Sequence, residues 1–139
     1  MTGVVDPYEL RVGVPSVEVF RRLRTDAGLS DRAAEAVEIG LRNTWHGVVL
    51  HHEGEPIGMG RVVGDGGTAF QIVDMCVHPA HQGRGLGRRI MAALTEELDR
   101  RAPATAYVSL IADGPARFLY EKFGFSDVAG HDSVGMYRV

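Results

Sequence analysis

Apolar residues along this chain switch between two periods. At 8–12 (YELRV) they alternate with polar ones, which predicts a short strand. From residue 16 the spacing lengthens: Val19, Phe20, Leu23 and Ala27 fall on one side of a helix, with Ser16 placed to cap its start and Gly28 its end. A second helix is predicted to open at Ser30, with Ala34, Val37 and Leu41 on one face. Strand patterns return in GVVLHH (47–52), IGMGRVV (57–63) and AFQIVDMCV (69–77), separated by EGEP and GDGG. Turns this short predict antiparallel neighbours. The third run is apolar on both faces except at Gln71 and Asp74, which predicts a central strand.

Beyond a glycine-rich stretch, Leu86, Ile90, Leu94 and Leu98 recur at helical spacing, and Pro103 closes that helix. TAYVSLIA (105–112) reads as a further strand. It is reached by a strand–helix–strand crossover, which makes it parallel to 69–77. ARFLYEKF (116–123) predicts a short helix with Lys122 in its last turn and Gly124 just beyond. FSDVAG and VGMYRV are expected to close the chain as a hairpin. The predicted class is α/β: a mixed, mainly antiparallel sheet with one parallel pair and helices on its faces. With 139 residues and no repeat, low-complexity tract or long linker, one domain over 1–139 is expected.

Composition narrows the function. The chain is 45% apolar, enough to fill a core, and its net charge of −3 argues against a general nucleic-acid binder. A local basic patch remains at Arg84, Arg88 and Arg89, while the RRLR run (21–24) reads as a solvated helix face. No apolar run approaches the roughly 18 residues of a membrane span, and the N-terminus lacks a leader pattern. A cytoplasmic protein without membrane contact is the expectation. The lone Cys76 forms no internal disulfide. Cys76, His78, His81 and Asp74 lie close in sequence, but neighbouring strand positions face opposite ways and the spacing matches no common zinc motif. No metal is expected.

HPAHQGRGLGRR (78–89) carries the chemistry. A strand, a glycine turn and a helix start together aim backbone N–H groups at an anion. The turn lacks the Gly-Lys pair of a Walker A loop, and its third glycine falls wrongly for a dinucleotide fingerprint. What it satisfies is Q-x-x-G-x-G, at Gln82, Gly85 and Gly87.

HPAHQGRGLGRRIM (78–91) resembles the acetyl-CoA-binding motif of the GNAT superfamily of N-acetyltransferases. FLYEKFGF (118–125) resembles the short helix with which that family follows it, and the element order is similar from about residue 8 onward. The resemblance implies that backbone amides from Gln82, Gly83, Arg84, Gly85, Leu86, Gly87 and Arg88 bind the diphosphate of acetyl-CoA. It implies that the pantetheine arm runs along Met75, Cys76 and Val77 as an added strand, in a cleft where the strands at 69–77 and 105–112 splay apart. Asp113 stands where many members have asparagine near CoA. Trp45 and the helix at 30–41 lie where the family builds its acceptor pocket, and Trp45 either lines that pocket or fills the core. A homodimer is expected on family grounds alone.

The implied reaction is attack of an amine on a thioester in a ternary complex with acetyl-CoA. The resemblance puts the general-acid tyrosine at Tyr120, whose phenol is protonated at neutral pH. On the central strand, where some members place a base, this chain has Gln71, which accepts no proton but faces the acceptor. Asp74 is the remaining candidate base, and it points away from the site unless a bulge redirects it. The expected acceptor is a small-molecule primary amine. Two alternatives are a CoA-binding module without catalysis and an enzyme acetylating a protein's lysine or N-terminus.

Overall fold

The computed structural model describes residues 5–138. The chain runs β1 (Tyr8–Val12), α1 (Val17–Asp26), α2 (Ala34–Arg42), β2 (His46–His52), β3 (Glu55–Gly64), β4 (Ala69–Val77), α3 (Leu86–Arg101), β5 (Tyr107–Leu110) and α4 (Arg117–Glu121). Short 3-10 turns occupy Pro79–His81, Gly114–Ala116 and Val128–His131. The sheet order is β1-β2-β3-β4-β5, with the first three pairings antiparallel and β4–β5 parallel. This is the α/β architecture expected from the sequence.

Alternation along the strands sends two sets of side chains to two covered faces. On one, Val48, Val62, Phe70 and Ile72 pack with Ile90, Met91 and Leu94 of α3. On the other, Met59 and Cys76 pack with Phe20 and Leu23 of α1 and Val37 and Leu41 of α2. Gly60 lets α3 sit close: an added Cβ would lie 2.6 Å from Ile90 Cγ2 and 2.8 Å from Met75 Sδ.

Local signals explain most element ends. Ser16 Oγ accepts the Val19 N–H at 3.2 Å and caps α1. In the β3–β4 turn, Asp65 accepts from the backbone of Gly67, Thr68 and Ala69 and from the Thr68 hydroxyl. These donors hold its carboxyl well below the usual range.

Three expectations are corrected. The second helix starts at Ala34, not at Ser30. The Ser30 hydroxyl, free of capping duty, accepts from Arg32 Nη1 at 2.7 Å, and its carbonyl accepts from Arg24 Nε at 2.8 Å. The RRLR run is solvated only in part: Arg22 is exposed and Arg21 half-exposed, but Leu23 and Arg24 are buried. The closing hairpin does not form: among the described residues, 125–138 contain the turn Val128–His131 and no strand. Asp127 accepts the Ala129 N–H at 2.9 Å and Asp132 adopts φ 56°, so the chain turns where extension was expected.

Candidate active site

The glycine turn begins where β4 ends. His78 Nδ1 accepts the Ala80 N–H at 3.1 Å, and Gln82 Nε2 donates back to the Val77 carbonyl at 3.0 Å. The glutamine thus ties the loop to the strand. Gly83 and Gly85 have φ 79° and 76°, a left-handed conformation that disfavours a side chain. Gly85 is the N-cap residue of α3, without a side-chain cap. The Arg89 N–H closes the first helical turn onto the Gly85 carbonyl at 3.2 Å. The N–H groups of Leu86, Gly87 and Arg88 lie ahead of that bond, at the positive end of a 16-residue helix. Together with Gln82, Gly83 and Gly85, these residues line a cavity of about 450 Å³. The donor set suits a phosphate.

The cavity continues along β4. Pairing with β5 stops at Ile72–Leu110, whereas β4 runs on to Val77. Met75, Cys76 and Val77 therefore line the cavity beyond the end of that ladder. A second cavity of about 380 Å³ adjoins it, with Gln71, Val73, Asp74 and Asp113 in its wall. Met75 and Tyr120 line both cavities.

A bulge shapes the junction. Met59 pairs with Cys76 and Arg61 with Val73, so Gly60 alone faces both Asp74 and Met75. Asp74 takes φ 59°, and its carboxylate turns to the face covered by α1 and α2. There Oδ1 accepts from Arg24 Nη1 and Oδ2 from Arg61 Nε, each at 2.8 Å. Arg61 Nη1 also donates to the Gly40 carbonyl at 3.0 Å and the Thr44 hydroxyl at 2.7 Å. The bulge does redirect Asp74 toward the second cavity, but both oxygens are engaged by guanidinium groups. Asp74 thus serves as the shared anchor of two buried arginines.

Burial raises the Tyr120 phenol above its ordinary value, with Asp113 adding to the effect. Burial pushes the Cys76 thiol up to about 12, with Asp74 as a further cause. Cys76 is accordingly unsuited to carry an acyl group. Ellman's reagent is expected to leave Cys76 unmodified in native buffer and to titrate it stoichiometrically in urea; rapid native labelling would contradict this environment.

Of the residues singled out in the sequence, Gln82, Gly83, Gly85, Leu86, Gly87, Arg88, Met75, Cys76, Val77 and Tyr120 line the first cavity. Gln71, Asp74 and Asp113 line the second. Asp113 precedes the turn Gly114–Ala116 without a side-chain capping bond. Arg84 is exposed and lines neither. Trp45 also lies outside both linings. Its ring stacks edge-on against Phe70 at 4.7 Å with the Arg101 guanidinium 4.1 Å over its face, packed beside the core. His78 lies 3.8 Å from Asp26, His81 bonds Tyr8, and Cys76 is buried against α1; the two imidazole rings meet edge-on at 6.1 Å, away from the buried thiol. Among the described residues, no cluster of His, Cys, Asp and Glu is arranged to hold a metal.

Sequence reasoning missed Leu29, Arg24 and Arg32, which line the second cavity from the α1 side. Arg24 was within reach: it falls one turn after Phe20 and beside Leu23, inside the apolar stripe of α1. A charge at such a position needs a buried partner, and Asp74 is the one acid of the central strand.

Residues 43–127 match the family model described as an acetyltransferase (GNAT) domain. A crystal structure from meticillin-resistant Staphylococcus aureus, described as a "Probable Acetyltransferase" of unknown function, is 43% identical. It superposes with a TM-score of 0.89 over 95% of this chain and 98% of that one. The [ribosomal protein bS18]-alanine N-acetyltransferase of Escherichia coli K12 is 38% identical over 68 residues, 48% of this chain and 44% of that protein. Serotonin N-acetyltransferase 2 of Oryza sativa is 28% identical over 109 residues, 78% of this chain and 54% of that protein. The match thus spans only about half the length of these two relatives. No helix among the described residues is long and apolar enough to cross a membrane. With more than half its length matched by the family model and a close structural relative along nearly all of it, the chain belongs to the GNAT acetyltransferase family.

Proposed function

We propose that this chain is a single-domain N-acetyltransferase that moves an acetyl group from acetyl-CoA to a small primary amine in a ternary complex. One observation carries this: Tyr120 and Met75 line both cavities, at the point where β4 and β5 part. The first cavity suits the CoA moiety. Its diphosphate meets the N–H groups of the glycine turn, and its pantetheine arm lies along Met75–Val77, where β4 has no β5 partner. The second cavity then receives the amine.

The transfer forms an N–C bond and breaks the C–S bond. The amine must lose a proton, because most aliphatic amines are protonated at neutral pH. Asp74 being held by arginines and Gln71 being no base, that proton passes to water in the cavity. The developing oxyanion is met by the backbone N–H near Cys76, and the departing thiolate takes the Tyr120 proton. An acceptor on a protein would need an acidic groove to draw in a lysine or N-terminus; the second cavity instead has two arginines in its wall, the buried Arg24 and the exposed Arg32, which supports a small acceptor.

Calorimetry with CoA and a thiol-release assay over an amine panel test the proposal. Saturable CoA binding is expected, with a loss of at least about tenfold in a Gly83→Val/Gly85→Val double variant. Unaltered binding by that variant would remove the glycine cradle. Binding without thiol release on any amine would instead assign a non-catalytic CoA-binding module.

A further inference from the structure

Behind one wall of the second cavity lies an unbalanced charge. Arg24 and Asp74 line the cavity, and Arg61, outside the lining, reaches the same carboxylate; the two arginines are 6% and 9% exposed. Two permanent cations thus share a single anion in a desolvated place. The Phe20 ring lies 6.0 Å from one guanidinium and 5.7 Å from the other, which offsets part of the excess but supplies no anion. Nη2 of Arg24 has only a weak contact, with Ser30 Oγ at 3.4 Å.

A third cation stands at the mouth. Arg32 lines the same cavity, is exposed, and donates only to Ser30 Oγ and the Asp31 carbonyl. The nearest acid in sequence, Asp31, is engaged elsewhere: Arg21 grips both its oxygens at 3.1 and 2.8 Å and helps to lower its carboxyl to about 2. Asp113, on the opposite wall beside Tyr120, makes no ion pair among the described residues. The cavity is therefore positive on the α1 side and negative beside the phenol.

We propose that the acceptor is an amine tethered to an anionic group, a carboxylate or a phosphate, with the anion held by Arg32 over the Arg24–Asp74–Arg61 cluster and the amine turned toward Asp113 and Tyr120. This rests on the acetyl-transfer reading for the site's purpose, but the charge pattern stands on its own. A neutral monoamine would leave the arginine side unused, and a polyamine would place a second cation against it.

Matched pairs test it: β-alanine against propylamine, and phosphoethanolamine against ethanolamine. Each is titrated calorimetrically into the protein, alone and saturated with CoA, where no transfer can occur. The anionic member is expected to bind about 10- to 100-fold more tightly, the range of a charge-assisted hydrogen bond. The stronger of the two anionic probes identifies carboxylate or phosphate. Arg32→Gln is expected to bring the ratio near one, and Arg32→Glu to invert it; Arg32 is exposed, so neither change threatens the fold. Equal affinities within each pair, or a preference that survives both variants, would overturn the inference. Thiol release from acetyl-CoA is scored separately: its absence beside an intact anion preference would remove the acetyl-transfer function and leave the anion site.

Discussion

Replacing Asp74 with asparagine is expected to cost about 3–5 kcal/mol of folding stability, the usual consequence of removing one partner from a buried ion pair. The substitution is nearly isosteric, and asparagine tolerates the left-handed backbone that Asp74 adopts at φ 59°. Only the charge is lost. What remains is two guanidinium groups, 6% and 9% exposed, facing each other across a neutral amide. Urea unfolding should show a lower midpoint with an unchanged slope. The turnover of the molecules that remain folded should fall far less. The opposite pattern, intact stability with collapsed kcat, would restore Asp74 as the proton acceptor and remove it as a structural clamp.

Tyr120→Phe is expected to lower kcat by about 100-fold or more, the range a general acid contributes. The ring stays to pack beside the core that it helps to cover, so unfolding stability should change little. The KM for acetyl-CoA should also stay within about twofold, because the hydroxyl acts on the departing sulfur and not on the bound cofactor. The pH profile adds a second check. Burial and Asp113 raise the phenol's pKa, so its acid form is present throughout the usual assay range and is lost only above that raised value. Wild-type kcat/KM should therefore climb with pH as the acceptor amine deprotonates, without a descending limb below about pH 10. A variant with full activity, or a wild-type decline near neutrality, would take the acid role from Tyr120.

Much of the fold was legible because its strands and α3 have apolar periods that local chemistry does not contradict. β1 and β4 were read at their observed ends, and α3 begins at Leu86, the first residue of its apolar repeat. The glycine turn was legible for a different reason: glycine residues are needed where φ is positive, and Gly83 and Gly85 show it. The acceptor side was harder. Its walls come from the α1–α2 connection, the β4 bulge and the segment after β5, each set by tertiary contacts. A bulge moves one residue across a sheet, and no pattern along β4 announced that Asp74 would be the one. Ser30 looked like a cap because serine often is, but two arginines compete for its oxygens. Trp45 had no periodic signal around it, and its contacts with Phe70 and Arg101 come from elements distant in sequence.

The sequential strand order has a bearing on how the molecule opens. Strands β2 to β4 form a meander, β1 adds to its edge after the α1–α2 excursion, and helices seal both faces. β5 joins through four residue pairs only, and α4 beyond it is five residues long. Cooperative units of this kind separate at their thinnest seam. Partial unfolding would then detach β5 and α4 first and carry Tyr120 away, while the glycine cradle stays intact. Under the proposed reaction, such breathing would give the acetylated product a way out at the expense of a few hydrogen bonds rather than of the whole fold.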